Sequence, residues 1–357
     1  MPIPYADPPA ALSEQIEAVY DKLVIATNLT SGPEMEAAAQ TVYDEAVELD
    51  YPHLMALAAM VRMGSEFDRN EWQDGVASYA RLLKLGRQYA EFIAPELSAQ
   101  IIDLAPYTVN GMLQLPRASL PQITGLIDRL EQAHLAAGEP LGQIYLSRAL
   151  VAAHRGDGEA VREWQERWQA DPAQSTPAMT ARMNVYLSST YDRARAVEYA
   201  EYAAAEINAT SAAWLAGERA LLLVQTGRPD AASAAARTLV TEADPDVLAS
   251  AVDFGSLLRA LETDRDTALE VMAMRADLFE PDAPPDEFLA QASAARLLLA
   301  DPATAARGAA LCDLAMRNAG AFDERNETSY NTDLLRAEWF NAPPYSPDPS
   351  QPMSMKE

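Results

Sequence analysis

Alanine recurs at a nearly constant interval through the second half of the chain. Successive positions are separated by 36, 36, 36 and 37 residues, and they are Ala160, Ala196, Ala232, Ala268 and Ala305. Each follows a turn signal and begins a new apolar helix, where a small residue lets two helix backbones cross closely. A period in this range is typical of stacked helical hairpins. It predicts an all-α superhelix, a solenoid of about 16–17 helices.

The regularity of the pattern divides the sequence into four parts. Residues 8–138 are predicted to form irregular helical repeats, and residues 139–320 regular hairpins. Residues 321–341 are expected to form one capping helix with a polar outer face, as terminal repeats often do. That face would consist of Arg325, Asn326, Glu327 and Asn331. Residues 342–357 are rich in proline and are predicted to be a disordered tail.

The charge balance favours some partners over others. The chain carries 27 basic and 53 acidic residues, a net charge of −26, which repels phosphates and predicts no nucleic-acid or membrane binding. The acids either keep a long surface soluble or attract a basic partner. No long apolar run and no leader pattern are visible, and Cys312 is the sole cysteine. The expected location is therefore the cytoplasm.

Some hairpins also match a known repeat pattern. Ala160, Trp164 and Pro172 resemble the tetratricopeptide repeat (TPR), whereas the other repeats keep the alanine and lose the aromatic residue. The stretch from Leu54 to Pro172 is similar to large uncharacterised TPR proteins of actinobacteria. That similarity rests on Tyr89, Phe92, Leu97 to Leu115, Pro116, Leu120-Pro121, Asp128 to Glu131, Ala137-Gly138, Tyr145, Gly156-Asp157 and Glu163-Trp164. It implies a TPR-like bacterial solenoid and no particular reaction.

Few residues have the patterns that catalysis requires. The sequence has no serine elbow and no phosphate loop, and it has only three histidines. Glu131 and His134 share a helix face, as metal ligands do, but a solvated face is the favoured interpretation. We therefore expect no catalytic residue, no metal and no cofactor. A hydrolase or metal enzyme is the least favoured alternative.

The first helices of solenoid repeats line a concave groove, which gives a set of candidate partner-binding residues. By register these are Tyr145, Arg182, Trp214, Glu218, Asp253 and Gln291. Ordinary surface or core roles are the competing interpretation for each. The predicted function is a non-enzymatic scaffold that binds a protein or peptide in the groove, where acidic residues would favour a basic segment. The alternative is a ligand-gated regulatory or sensor protein that binds a small molecule or short peptide.

Overall fold

A computed structural model describes residues 2–6, 8–171, 177–203, 209–243, 248 and 253–340. Over these residues the chain is helical, with no strand, and consecutive helices pack against one another. The all-α class is thereby confirmed. The chain forms two compact units. The predicted boundaries after residues 138 and 320 stay predictions, and the expected tail at 342–357 lies outside the described residues.

Unit 1 comprises Met1–Val151 together with Arg167–Ala173. Proline at the first turn starts several of its helices, because proline has no N–H to leave unpaired there. The Ser119 and Gln122 capping box starts α7, and left-handed Gly138 ends it. The helices are α1 (Ser13–Thr27), α2 (Pro33–Glu48), α3 (Pro52–Asp68), α4 (Trp72–Gln88), α5 (Pro95–Asp103), α6 (Ala105–Leu113), α7 (Leu120–Ala137), α8 (Gly142–His154) and α9 (Gly158–Ala170). Helices α8 and α9 supply residues to both units.

Two glycines, one on α4 and one on α6, allow these helices to pack closely against the ring of Phe67. A Cβ atom on Gly75 would lie 2.6 Å from that ring, and one on Gly111 would lie 2.8 Å from it. Both distances are shorter than real Cβ contacts, so only glycine fits. Helix α6 packs against α4 and also against α7. This arrangement leaves α6 between two longer helices.

Unit 2 comprises Ala152–Glu166 and Gln174–Glu357. Its hairpin partners, such as α10 with α11, α12 with α13 and α16 with α17, pack closely. Its further helices are α10 (Pro177–Ser189), α11 (Arg193–Ala203), α12 (Ala209–Gln225), α13 (Pro229–Glu242), α14 (Phe254–Ala260), α15 (Arg265–Met274), α16 (Phe288–Leu299), α17 (Ala305–Asn326) and α18 (Tyr330–Leu334), followed by a π-helix (Leu335–Phe340).

The periodic alanines differ in burial. Ala196, Ala232 and Ala268 are completely buried, as expected for residues at helix crossings. Ala160 and Ala305 are only half-buried. In the last hairpin the close contact moves to Gly308, where a Cβ atom would lie 2.8 Å from the backbone nitrogen of Leu299. The alanine spacing therefore follows the predicted repeat at all five positions. At three of them the alanine is also fully buried, as expected at a helix crossing.

Enlarging a crossing alanine should destabilise unit 2. We expect Ala232→Leu to lower the free energy of unfolding by about 1–3 kcal/mol, because an overpacked contact forces strained rotamers. Urea unfolding followed by circular dichroism measures this. Ala305→Leu makes the same change at a half-buried site and should cost less. Equal losses in the two variants would contradict the assigned role of Ala232.

The C-terminal part differs from the single capping helix expected at 321–341. Helix α17 continues to Asn326, the chain turns at left-handed Glu327, and α18 and the π-helix follow. The predicted polar face is also wrong, since Arg325, Asn326 and Asn331 are buried. Their burial is tolerated because they form hydrogen bonds with other polar groups inside the unit. Asn326, for example, donates a hydrogen bond of 2.7 Å to the backbone oxygen of His154.

The C-terminal strap, residues 330–340, crosses the ends of several earlier helices of unit 2. Its Glu338 side chain pairs with Arg193 and accepts a hydrogen bond of 2.8 Å from Gln225. The backbone oxygen of Glu338 accepts a bond from Arg259 at 3.2 Å. The strap thus links groups from α11, α12 and α14.

Trp339 is the apolar anchor of the strap. It is 1% exposed and packs with Leu335 in a cluster that includes Leu221 of α12 and Ala292 of α16. Its indole N–H donates a hydrogen bond of 2.8 Å to the hydroxyl of Ser293. The strap is therefore a structural part of unit 2.

Truncating this anchor should weaken unit 2 strongly. We expect Trp339→Ala to cost about 3–5 kcal/mol, the usual range for removing a buried aromatic side chain. Leu299→Ala, at a residue that is 43% exposed, serves as the control and should cost much less. Urea titration of both variants measures the difference, and matching midpoints would show that the strap adds no stability.

Candidate functional site

Four of the six predicted site residues lie near one another in unit 2. Arg182 lies on α10, Trp214 and Glu218 on α12, and Asp253 immediately before α14. The other two lie elsewhere. Gln291 is fully buried and accepts a hydrogen bond of 2.9 Å from Asn318. Tyr145 is half-buried on α8, in the part that belongs to unit 1.

An arginine and a tryptophan form the exposed end of this group. The guanidinium carbon of Arg182 lies 4.5 Å from the ring centroid of Trp214, which is a cation–π geometry. Trp214 also packs on the cluster around Val185 and Leu215. The indole ring therefore contacts both Arg182 and this apolar cluster.

Glu218 and Asp253 are neighbouring carboxyl groups that both accept hydrogen bonds from Ser256. Asp253 caps α14 by accepting from the backbone nitrogens of Gly255, at 2.7 Å, and Ser256, at 3.2 Å. Glu218 accepts from the Ser256 hydroxyl at 3.3 Å. Burial, followed by the charge of Asp253, raises the pKa of Glu218 to about 8, against smaller opposing effects of Arg182 and of the hydrogen bond from Ser256. Glu218 therefore keeps its proton at neutral pH.

Glu287 is a third member that sequence reasoning missed. It lies at the start of α16, and burial followed by the charges of Asp253 and Asp286 raises its pKa to about 8. Glu218, Asp253 and Glu287 follow each other at about one repeat length in the sequence. That spacing was the available signal. We call these three residues the carboxyl row.

Further buried titratable groups lie beside the carboxyl row. Tyr186 has a raised pKa, mainly through burial and also through Tyr330 and Glu218. Its ring centroid is 6.5 Å from that of His154. Burial and the charge of Arg325 lower the pKa of His154 to about 3. His154 is therefore neutral at physiological pH.

The carboxyl row contains two buried carboxyl groups, those of Glu218 and Glu287, that retain their protons at neutral pH. A positive charge placed beside them would lower their pKa values. Across the described ranges, no three His, Cys, Asp or Glu side chains are placed so that they could hold a metal ion. Carboxylate oxygens accept hydrogen bonds, and an ammonium or guanidinium group supplies the matching N–H donors.

Other candidates for chemistry have structural partners. Glu131 pairs with Arg148, and His134 is buried with its Nδ1 atom 2.7 Å from the backbone oxygen of Pro140. Cys312 is half-buried, and burial raises the pKa of its thiol, which lowers the thiolate population. These residues act in helix packing.

No protein-family model matches the chain, and no curated protein matches it. Among the described helices, none combines the length and the apolar character needed to cross a bilayer.

The raised pKa of Glu218 makes the stability of unit 2 depend on pH. Below about pH 4.5 the carboxyl group is protonated in both the folded and the unfolded chain. As pH rises towards 8, the unfolded chain loses this proton first, so the stability of the folded state falls. Glu218→Gln cannot titrate. We therefore expect its stability, relative to the natural chain, to increase between pH 5 and pH 8.

Urea unfolding at pH 5.0, 6.5 and 8.0 tests this dependence. Glu270→Gln, an exposed change on α15, should follow the natural chain at all three values. Parallel curves for Glu218→Gln and the natural chain would contradict the raised pKa.

Proposed function

We propose that this chain is a non-enzymatic helical-repeat protein, of the TPR-like solenoid type, that binds a partner polypeptide. The carboxyl row of unit 2 would receive a lysine or arginine side chain of that partner. The alanine period and the packing of consecutive helices support the solenoid. Solenoid repeat proteins have extended surfaces, and these surfaces commonly bind polypeptides.

The observation that carries the proposal is the closeness of Glu218 and Asp253, which both accept hydrogen bonds from Ser256, at 3.3 Å and 3.2 Å. Carboxyl groups this close cannot both ionise without a compensating charge. Arg182 offsets this charge only in part, because the pKa of Glu218 stays at about 8. A cationic side chain of a partner would supply the missing charge.

Binding of a cation at this site should release protons. We expect a twelve-residue peptide of alternating serine and arginine to bind at pH 7.5 with the loss of about one proton from each of Glu218 and Glu287, because a nearby cation lowers a carboxyl pKa. Isothermal titration calorimetry in phosphate and in Tris buffers measures the proton release from the difference in heat.

The matched variants separate this site from the general acidity of the chain. Glu218→Gln with Glu287→Gln should weaken binding at least about tenfold and abolish the proton release. Glu198→Gln with Glu270→Gln makes the same substitutions at exposed positions and should change little. If both double variants bind alike, the peptide recognises only the net charge, and the proposed site is wrong.

A further inference from the structure

Unit 1 contains a long open groove whose surface is mostly carbon. It has a volume of about 1160 Å³ and lies between α4, α6 and α7. Helix α6 contacts both of the other two helices, so it forms the floor. The apolar lining includes Val76 and Leu83 of α4, Met112 of α6, and Leu126 of α7. On α4 the lining extends from Gln73 to Gln88, a helix length of about 22 Å.

Two buried hydroxyl groups in the lining have no hydrogen-bond partner. Tyr79 and Thr108 both line the groove, and each residue is 1% exposed. The Oη atom of Tyr79 and the Oγ1 atom of Thr108 are both buried and unpaired. A buried hydroxyl group without a hydrogen-bond partner destabilises the folded chain. A polar group that enters the groove would remove this destabilisation.

The charged residues of the groove are all basic. Lys84 and Arg87 lie on α4, Arg117 lies in the loop after α6, and Arg129 lies on α7. All four are exposed, and no Asp or Glu lines the groove. None of the four forms an ion pair with any residue that the structure describes. A basic surface in a chain of net charge −26 favours the binding of an anionic partner at this place, because opposite charges attract.

We propose that this groove binds an amphipathic α-helix of another protein whose apolar stripe is flanked by acidic residues. The apolar lining would receive the stripe, and the cations on α4 and α7 would meet acids on its two sides. This is recognition of a helix in a groove. A polar residue within the stripe, such as glutamine, would pair with the hydroxyl groups of Tyr79 and Thr108.

The dimensions favour a helix over a small molecule. The volume exceeds the range of about 300–1,000 Å³ that is usual for small-molecule pockets, and the groove is open along its length. A helix of about 15 residues is about 22 Å long, which matches the span on α4. The groove lies in unit 1 and the carboxyl row in unit 2, so the proposal does not depend on the proposed function.

A synthetic peptide can test the groove directly. The probe is a capped, fluorescein-labelled 18-residue peptide with leucine at the apolar positions of a helix, one central glutamine, and glutamate elsewhere. We expect it to bind the full chain in spite of the negative net charge of both, and to bind more weakly as salt increases. Fluorescence anisotropy measures the affinity, and circular dichroism measures helix formation on binding.

Charge reversal at the rim supplies the specific variant. Arg87→Glu with Arg129→Glu should weaken binding at least tenfold while leaving the melting temperature of the chain unchanged, since both residues are exposed. Arg81→Glu with Arg307→Glu introduces the same charges at exposed positions outside the groove and should bind as the natural chain does. Thr108→Val should selectively reduce the preference for the glutamine peptide over an all-leucine version.

Four results would overturn the proposal. The first is that the glutamate peptide fails to bind at 50 mM salt. The second is that the two charge-reversal variants bind equally. The third is that dodecyl sulfate monomers or dodecanoate displace the peptide at stoichiometric amounts, which would identify a site for a small amphiphile. The fourth is that light scattering shows a dimer of the natural chain that Arg87→Glu with Arg129→Glu dissociates, which would assign the groove to a second copy.

Discussion

The packing of this protein depends on small residues at the points where neighbouring helices cross. A hairpin of two helices cannot bury both of its faces alone, so each must approach the next hairpin closely. Ala232 and Ala268 are fully buried at such points. Gly75 and Gly111 give the same freedom around Phe67 in unit 1. Larger side chains at these positions would separate the helices and change every contact beyond them.

The helical class and the repeat length could be predicted because both depend on local sequence patterns. The period of the alanines identified the hairpins, although Ala305 leaves the closest contact to Gly308. The C-terminal part could not be predicted in the same way. Its polar residues were expected to face water, but Asn326 binds a backbone oxygen 172 residues away in the sequence. No local pattern carries that information.

The candidate site was predictable to a similar extent. Register on the first helices identified Glu218 and Asp253, which the structure brings together. Glu287 precedes its helix and was missed, although it lies about one repeat after Asp253. The groove of unit 1 was not predicted at all. Arg117 and Arg129 come near the cations of α4 only because α6 contacts both α4 and α7, and that contact follows from the close fit of Phe67.

The strap has a consequence for how unit 2 is made. Glu338 binds Gln225, which is synthesised 113 residues earlier, and Trp339 covers Leu221 and Ala292. Chains fold from the N-terminus as they leave the ribosome. Until the strap has been synthesised, the apolar residues of α12 and α16 that Trp339 covers are exposed to solvent. Chaperones and proteases can bind such exposed apolar surface. A premature stop codon before residue 335 would make that transient state permanent.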